Sequence, residues 1–378
     1  MISQAENKVP ADVVRRSWLI AKPYSLGRTE ASLSDDAIDW MATVHSAGED
    51  FAVPALATVL KDANLFQHAP PDVQQFLNYA LTQNARMNER IREQCLEIGT
   101  ALAQTGVSCA LLKGATWLFE DGAARQDRML RDIDVLVPHA ATEAAWTALV
   151  AQGYAPSPTI VGEPGHIHEL PLEHAERPVT VELHVELTTW VNYLDPEQVL
   201  AQSRAVAPGV SMPCPLHRIV HNVVHAQLSN GDYAGGALSL RDSLDLGRLL
   251  QKSISAEQWF ALTSEAHKKG YFGTLSGALH KAAYVTGAAL PDPFASDDAG
   301  PRHLRRCLLQ RRWPAFDRTM RKYGVFRRAT AWERDAYALQ LGDDRSLRAH
   351  WLVNRRRLQR MRSALYRNFG FGHGTAAT

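Results

Sequence analysis

Two aspartates stand at the start of an apolar segment of the chain, where unpaired charges are costly to bury. Asp132 and Asp134 belong to the run Asp-Ile-Asp-Val-Leu-Val at 132–137, whose β-branched residues predict a strand. Side chains alternate along a strand, so both carboxylates lie on one face, with Ile133 on the other. The pair therefore faces a common space in front of the predicted sheet.

A third carboxylate, Glu182, lies in a second apolar run at 179–185 that also predicts a strand. Glu182, His184 and Glu186 share one face of that strand. If the two strands are neighbours, Glu182 reaches the aspartate pair. Three carboxylates this close repel each other unless cations neutralise them, and hard oxygen ligands favour Mg²⁺ or Mn²⁺. Two such ions roughly 3.5–4 Å apart support an in-line displacement that releases pyrophosphate.

A glycine turn precedes the aspartates. The short apolar segment 107–112 predicts a strand that ends at Lys113 and Gly114 and leads into a helix near 117–119. A strand, a glycine and a helix N-terminus together present backbone N–H groups to a phosphate. Lys113 adds a point charge there. The spacing differs from that of a P-loop.

These segments resemble the DNA polymerase β-like nucleotidyltransferase superfamily, within it the branch of uncharacterised nucleotidyltransferases. The resemblance covers roughly residues 51–250 and rests on three segments in the expected order: Leu-Lys-Gly at 112–114, Arg-Met-Leu-Arg-Asp-Ile-Asp-Val-Leu-Val at 128–137, and Val-Glu-Leu-His at 181–184. The superfamily is marked by a glycine turn, a pair of aspartates one residue apart on the next strand, and a carboxylate on a later strand.

The resemblance implies a role for each matching residue. Asp132 and Asp134 would ligate both metal ions, and Glu182 would ligate the catalytic metal and help deprotonate the acceptor. Gly114 would seat the triphosphate of an NTP, expected to be ATP.

Two positions near the turn leave their role open. Many superfamily members have Gly-Gly or Gly-Ser at the turn, whereas this chain has Gly114 followed by Ala115, so Thr116 is the hydroxyl available to a phosphate. Arg128 lies where the branch has an arginine before the aspartates, and it contacts either a phosphate or a structural carboxylate.

Histidines supply a rival chemistry. His166 and His168 share a strand face, and with His174, His184 or Glu186 they would make a zinc site. The alternative is that they line the acceptor pocket or the edge of the sheet. His221 and His225 have the spacing of a zinc-protease helix, but Asn222 stands where that motif needs its glutamate, which argues against a metalloprotease.

A polar set in the helical half of the chain is a candidate acceptor site. His225, Arg241, Asp242 and Asp245 lie among apolar residues, and the branch often has a histidine helix followed by an acidic helix here. We expect His184, His225 and Asp242 to face the acceptor. For Asp242, a helix cap or an ion pair with Arg241 or Arg248 is the alternative.

Composition agrees with a cytoplasmic enzyme. The 378 residues are 46% hydrophobic, no apolar run is long enough to span a bilayer, and the first residues lack the apolar stretch of a signal peptide. Four scattered cysteines favour a reducing compartment. The net charge of +1 hides a basic segment at 301–370, with 19 Lys and Arg against 5 Asp and Glu. That segment is either a solvated helix face or a surface for phosphate or acidic partners.

The predicted fold class is α+β, a small mixed-sheet nucleotidyltransferase core flanked by N-terminal and C-terminal helical regions. The expected regions are 1–106, helical; 107–190, the α/β core; 191–300, a helical substrate-side domain; and 301–378, a basic helical region. Helices are expected over about 72–103, 141–152, 216–228 and 238–250.

The expected activity is Mg²⁺-dependent transfer of a nucleoside monophosphate from an NTP to a hydroxyl. The acceptor stays open among a small molecule, a peptide or protein, and an RNA end. Two alternatives keep the fold: transfer of a phosphoryl group, and a non-catalytic regulatory protein that binds the nucleotide.

Overall fold

The fold is α+β, a seven-stranded mixed sheet with helices on its flanks, which confirms the predicted class. The computed structural model describes residues 10–14, 18, 38–157, 170–188, 193–313, 315–320, 322, 346–356 and 358. The strands are β1 (Ala110–Leu111), β2 (Asp132–Leu136), β3 (Ala155–Pro156), β4 (Leu172–Glu173), β5 (Thr180–His184), β6 (Arg204–Ala207) and β7 (Val210–Met212).

The strand order is β3-β4-β5-β2-β1-β7-β6, so the strands of the predicted site lie at the centre. β2 pairs with β5 in parallel and with β1 in antiparallel orientation, and β1 pairs in parallel with β7. The outer pairs, β3 with β4, β4 with β5 and β6 with β7, are antiparallel. Both central strands therefore have hydrogen-bonded neighbours on each side.

Helices make up most of the remaining described chain. They are α1 (Ala11–Val13), α2 (Trp40–Glu49), α3 (Val53–Asp62), α4 (Pro71–Gln104), α5 (Ala124–Asp127), α6 (Thr142–Ala151), α7 (Pro196–Ala201), α8 (Pro215–Val223), α9 (Asp232–Gly235), α10 (Leu240–Leu250), α11 (Ala256–Lys268), α12 (Phe272–Thr286), α13 (Asp292–Ala295) and α14 (Ala299–Arg312). Shorter 3₁₀ segments lie at Phe66–His68, Lys113–Phe119 and His139–Ala141, and residues 347–356 are helical as well.

The four sequence-predicted helices are present, with ends displaced by one or two residues. α4 begins at Pro71, where a proline is tolerated because the first N–H groups of a helix have no partner in it. The helix predicted over 141–152 is α6, and the chain leaves it through Gly153 at φ 93°. The helix predicted over 216–228 is α8 followed by a π turn at Val224–Ser229.

One expectation differs from the structure. The predicted strand over 107–112 forms β-pairs only at Ala110–Leu111, since the next residue turns into the 3₁₀ segment. Helix α2 is capped by Asp39, whose side chain accepts a hydrogen bond from the Ala42 N–H. The sequence also predicts Asp35 or Asp36 as the cap of an early helix, and both lie outside the described residues.

Alternation along β2 and β5 separates an apolar face from a polar one. Ile133, Val135, Val181 and Leu183 are buried in one cluster with residues of α4 and α6, including Ile98. Since neighbouring side chains on a strand point to opposite faces, the carboxylates of both strands project away from this core. The helices thus fix the strands from behind and leave the other face for the site.

The long helix α4 joins two cores. Its N-terminal part contributes Val73 and Leu77 to a cluster that also contains Leu240 and Leu244 of α10. Its C-terminal part contributes Ile91 and other residues to the core behind the sheet. The N-terminal helices therefore pack against α10, in the helical part of the chain that follows the sheet. The predicted region boundaries at 106, 190 and 300 stay a prediction.

Two arginines of the basic segment contact the protein itself. Arg306 of α14 donates to the carbonyls of Tyr233 and Ala234, the latter at 3.1 Å. Arg311 donates to the Leu238 carbonyl at 2.5 Å and lies 3.6 Å from Asp50. At these two positions, side chains of the segment tie α14 to the helical half. None of the described helices combines the length and apolar character needed to cross a bilayer.

One glycine fixes how close α4 comes to the β6–β7 turn. Gly209 has φ 71°, and a Cβ at this position would overlap the carbonyl of Gly99 on α4. Gly106 is a matched control, with φ 75° but with nothing within 4 Å of its Cβ position. We expect Gly106→Ala to cost about 1–2 kcal/mol of unfolding free energy, since both sites are left-handed. Gly209→Ala should cost clearly more, because the backbones must also separate. Denaturant unfolding of both variants measures the difference, and equal losses would contradict the close approach.

Candidate active site

The central strands bring the three predicted carboxylates together. In the parallel pairing of β2 with β5, Asp134 lies opposite Glu182 and Asp132 lies opposite Thr180. Asp134 is 2% exposed, whereas Asp132 and Glu182 are half-buried. The arrangement therefore places one deeply buried carboxylate between two more accessible ones on a single sheet face.

Lys113 is the first cation at this cluster. Its Nζ lies 2.6 Å from Asp134 Oδ1, and its backbone has φ 45°, a conformation that is uncommon for a residue with a side chain. The turn is held to β2, since the Leu112 N–H donates to the Asp134 carbonyl at 2.9 Å. Burial opposes a charge on Asp134, but Lys113 and a hydrogen bond with His184 hold the pKa of this carboxyl well below its usual range.

His184 is the second group on Asp134. Its Nε2 lies 2.7 Å from Asp134 Oδ1 and 3.5 Å from Glu182 Oε2. Burial favours the neutral ring, yet the hydrogen bonds with Asp134 and Glu182 raise its pKa. In the fold, His184 thus contacts the carboxylates themselves, and its predicted contact with the acceptor stays a prediction.

Asp132 has the opposite electrostatic behaviour from Asp134. Burial and the neighbouring charge of Asp134 raise the pKa of Asp132. A carboxylate whose ionised form is disfavoured by its surroundings is stabilised when a cation arrives.

The donor set fits a divalent cation. Among the described residues, one ligand atom each of Asp134, Glu182 and His184 lie within 4.8 Å of one another. Carboxylate oxygens are the donors that Mg²⁺ and Mn²⁺ use in proteins, and imidazole suits transition metals. Asp132, on the same face, adds a further carboxylate.

The glycine turn is tighter than the sequence indicated. Residues from Lys113 to Phe119 form a 3₁₀ segment, and the Thr116 hydroxyl donates to the Lys113 carbonyl at 2.7 Å. A Cβ on Gly114 would lie 3.3 Å from Leu130 Cγ and 3.6 Å from Arg128 Cζ. The absence of a side chain at position 114 therefore lets the turn pack against the segment that leads into β2. Phosphate contacts of Lys113, Gly114 and Thr116 remain predictions.

Ion pairs join the core to α10. Arg128 Nε lies 2.9 Å from Asp245 Oδ2, so this arginine contacts a structural carboxylate, one of the two roles considered for it. Arg248 Nη2 lies 2.8 Å from both carboxylate oxygens of Asp127. Asn88 of α4 donates to the Arg128 carbonyl at 2.9 Å. These contacts orient the segment before β2 relative to the helical half.

A pocket opens beside Lys113, between the core and the helical half. Arg128, Arg241, Asp242 and Asp245 line its charged side, and α8 forms another wall. Apolar residues complete the lining. They are Leu112, Trp117, Leu187, Leu194, Val199, Pro213, Ala226 and Leu249.

The predicted residues His225 and Asp242 both line this pocket. Asp242 also lies 3.4 Å from Arg241 Nε, the ion pair considered as its alternative role. The N-terminus of α10 is capped by Ser239, whose hydroxyl accepts a hydrogen bond from the Asp242 N–H at 3.2 Å. Arg248, the other partner considered, pairs with Asp127.

Sequence reasoning missed most of the wall that α8 forms. His217, Arg218, His221 and Asn222 lie in the pocket lining together with His225. The recurrence of histidine at 217, 221 and 225 is the helical spacing that could have found this face. His225 belongs to the π turn, and π turns widen a helix and often occur at functional sites.

The histidines of α8 and the π turn are uncharged. Burial lowers the pKa of His217, lowers that of His221 well below its usual range, and lowers that of His225 to about 3. The His221 Nε2 lies 3.0 Å from the Leu187 carbonyl. This wall therefore offers hydrogen-bonding groups without charge.

The rival zinc site falls partly outside the described residues, since His166 and His168 lie there. Of the other residues considered for it, His174 packs edge-on against Tyr154 with ring centroids 5.2 Å apart. Glu186 has its pKa raised to about 7 by burial.

A mixed sheet that presents carboxylates from neighbouring parallel strands beside a glycine turn is the arrangement that the resemblance to nucleotidyltransferases predicts. The chain belongs to the family described as uncharacterised nucleotidyltransferase, whose sequence model matches residues 36–287, about two thirds of its length. A comparison with curated proteins gave no match. The family makes the protein a transferase that uses an NTP as substrate.

Proposed function

We propose that this protein transfers a nucleoside monophosphate from ATP to a hydroxyl of a small acceptor, with Mg²⁺ or Mn²⁺ held by Asp132, Asp134 and Glu182. The observation that carries the proposal is the register of β2 and β5, which sets Asp134 opposite Glu182 with Asp132 on the same face. The membership of the chain in a nucleotidyltransferase family supports the same reaction.

Each residue has a defined task in this reaction. The bound metal would neutralise charge on the triphosphate and acidify the acceptor hydroxyl. Glu182 lies opposite Asp134 on the neighbouring strand, is the more accessible of the two, and takes the hydroxyl proton. The acceptor oxygen then bonds to the α-phosphorus, the bond between that phosphorus and the α–β bridging oxygen breaks, and pyrophosphate leaves. Lys113, whose Nζ lies 2.6 Å from Asp134 Oδ1, would contact the triphosphate from beside the carboxylates.

The charges of the pocket favour a small acceptor over RNA. Each cation of the lining is already beside a carboxylate: Lys113 beside Asp134, Arg128 beside Asp245, Arg241 beside Asp242, and Arg218 beside Glu120 at 2.5 Å. RNA binding depends on cations that are free to neutralise phosphates. The paired cations and neutral histidines suit instead an uncharged portion of a substrate, such as a base or a hydroxyl compound.

Unpaired polar atoms support the same assignment. Among the described residues, His217 Nδ1, Arg218 Nη2 and Asn222 Oδ1 are buried pocket-lining atoms without a hydrogen-bond partner. A buried polar atom without a partner costs about 1–3 kcal/mol, which a bound substrate that hydrogen-bonds to it recovers.

Labelled ATP separates the proposed reaction from its alternatives. The protein is incubated with Mg²⁺ or Mn²⁺ and small-molecule, peptide and RNA fractions of its host, in parallel with ATP labelled at the α- or the γ-phosphate. Label from the α-position in a small product supports the proposal, and label from the γ-position alone establishes phosphoryl transfer. Label in RNA or peptide overturns the acceptor class. Binding of Mg-ATP with no transfer from either position in any fraction would identify a regulatory protein.

Metal and nucleotide should stabilise the fold together. Because the repulsion at Asp132 is relieved by a cation, we expect Mg²⁺ or Mn²⁺ with ATP to raise the unfolding temperature, and EDTA to remove most of the ATP effect. A ligand at about 100 times its Kd adds about 2.7 kcal/mol to the unfolding free energy. Calorimetry with and without EDTA tests this, and equal ATP affinity in both conditions would argue against a metal-dependent site.

A further inference from the structure

His184 occupies a position between the two carboxylates that face each other across β2 and β5. It is the last residue of β5 and is 2% exposed. Its Nε2 lies 2.7 Å from Asp134 Oδ1 and 3.5 Å from Glu182 Oε2. The imidazole therefore shares its immediate surroundings with two proposed metal ligands.

The other ring nitrogen determines what Nε2 presents to these carboxylates. His184 Nδ1 lies 3.2 Å from the backbone carbonyl of Glu186. A carbonyl oxygen only accepts, so Nδ1 carries the proton of this hydrogen bond. Nε2 then carries a second proton when it hydrogen-bonds with Asp134 Oδ1 at 2.7 Å, and Lys113 supplies another cation to the same oxygen. A metal ion at the carboxylates would take the place of the proton on Nε2.

The same arrangement is typical of histidines that bind metals. A ligating histidine usually donates its second ring N–H to a carbonyl or carboxylate, which fixes the ring and its tautomer. Neighbouring ligands of a six-coordinate ion at about 2.1 Å lie about 3 Å apart. The distances of 2.7 and 3.5 Å from Nε2 to the two carboxylate oxygens lie on either side of that value. Together with the 4.8 Å limit within which one ligand atom of each residue lies, these distances would allow the three residues to hold one ion.

We infer that His184 Nε2 is a direct ligand of the catalytic metal, so that an imidazole joins the proposed carboxylates in the metal site. This inference rests on the proposed function, since it concerns the metal of the same reaction. Imidazole suits transition metals better than Mg²⁺, which prefers oxygen. The site should therefore bind Mn²⁺ more tightly than Mg²⁺, and His184 should account for much of the difference.

Electron spin-echo spectroscopy of bound Mn²⁺ tests the ligand directly. The protein is stripped with EDTA, loaded with one equivalent of Mn²⁺, and examined for modulation by a coupled nitrogen. We expect ¹⁴N modulation in the wild type, replaced by the ¹⁵N pattern when the protein is made with ¹⁵N-histidine. The labelled wild-type protein therefore shows whether a histidine nitrogen binds the metal without any substitution in the chain. Mn²⁺ bound with no histidine nitrogen coupling would overturn the inference and leave the proposed function standing.

Substitution then assigns the nitrogen to one residue. His184→Gln should abolish the modulation and weaken Mn²⁺ binding by at least about 10-fold, since loss of a group that only hydrogen-bonds to a metal ligand already costs about 10–100-fold. The loss for Mg²⁺ should be smaller. His221→Gln is the control, because this buried pocket histidine faces the Leu187 carbonyl and should keep the signal. If the His221 variant loses the nitrogen modulation and the His184 variant keeps it, the ligand is His221 and the inference is wrong. Absence of Mn²⁺ binding in the wild type would refute the proposed function itself.

Discussion

Asp134→Asn and Asp132→Asn should each reduce nucleotidyl transfer by about 10³-fold or more. Each substitution keeps the shape of the side chain and removes the charge of a metal ligand, and metal-ion stabilisation of the transition state amounts to several kcal/mol. The initial rate of transfer from α-labelled ATP at saturating Mg²⁺ measures the loss. Turnover near the wild-type rate in both variants would refute the metal assignment.

The two variants should differ in stability although they share the loss of activity. The pKa of Asp134 is lowered, so its charge stabilises the metal-free fold at neutral pH, and that stability is lost as pH falls through the lowered pKa. Asp134→Asn should therefore lower the unfolding temperature in EDTA, since Lys113 and His184 lose their common partner. The pKa of Asp132 is raised, so its charge opposes folding above that pKa, and Asp132→Asn should leave the unfolding temperature unchanged or higher.

Glu182→Gln should reduce transfer by about 10²–10⁴-fold while sparing most of the affinity for ATP. This range is typical for the loss of proton-transfer assistance, and triphosphate binding depends mainly on Lys113 and the aspartates. The catalytic rate constant falls and the affinity, measured by calorimetry, changes little. An unchanged transfer rate would show that Glu182 is not the third carboxylate of the reaction.

Lys113→Ala is the matched comparison, with the opposite balance expected. Loss of a charge-assisted contact to phosphate weakens ATP binding by about 10–100-fold, which corresponds to about 1.5–3 kcal/mol, and slows the bound complex less. Lys113 lies 2.6 Å from Asp134, so its removal also leaves that carboxylate with one cation fewer. Stronger Mn²⁺ binding without ATP should accompany the weaker ATP binding, because the ion no longer competes with an ammonium.

The placement of the carboxylates on one face followed from local sequence. Alternation along a strand needs only the residue types at 132–136 and 180–184, and both strands form where the apolar runs predicted them. The fold class followed from the same patterns, since short apolar runs stand between long amphipathic segments. Helix ends moved by a residue or two because capping depends on single side chains, as at Ser239 before α10.

The partners of these residues did not follow from local sequence. Arg128 pairs with Asp245 and Arg248 pairs with Asp127, across separations of 117 and 121 residues. Nothing in the spacing around Arg128 distinguishes a phosphate from Asp245 as its partner. The same holds for His184. Alternation along β5 predicts the sheet face on which His184 lies, but its contact with Asp134 depends on the register of two strands 50 residues apart.

The sequence by itself determined that two aspartates share one strand face, that a glutamate lies on a second strand, and where the long helices begin and end to within a residue or two. Only the tertiary structure decided that Lys113 and His184 contact Asp134, that α8 forms a neutral wall of the pocket, and that the pocket cations are paired. Periodicity is local because it arises from backbone geometry within one element. Ion pairs and sets of metal ligands are not local. They depend on distances between elements, which are fixed only when the two hydrophobic cores that α4 joins have packed.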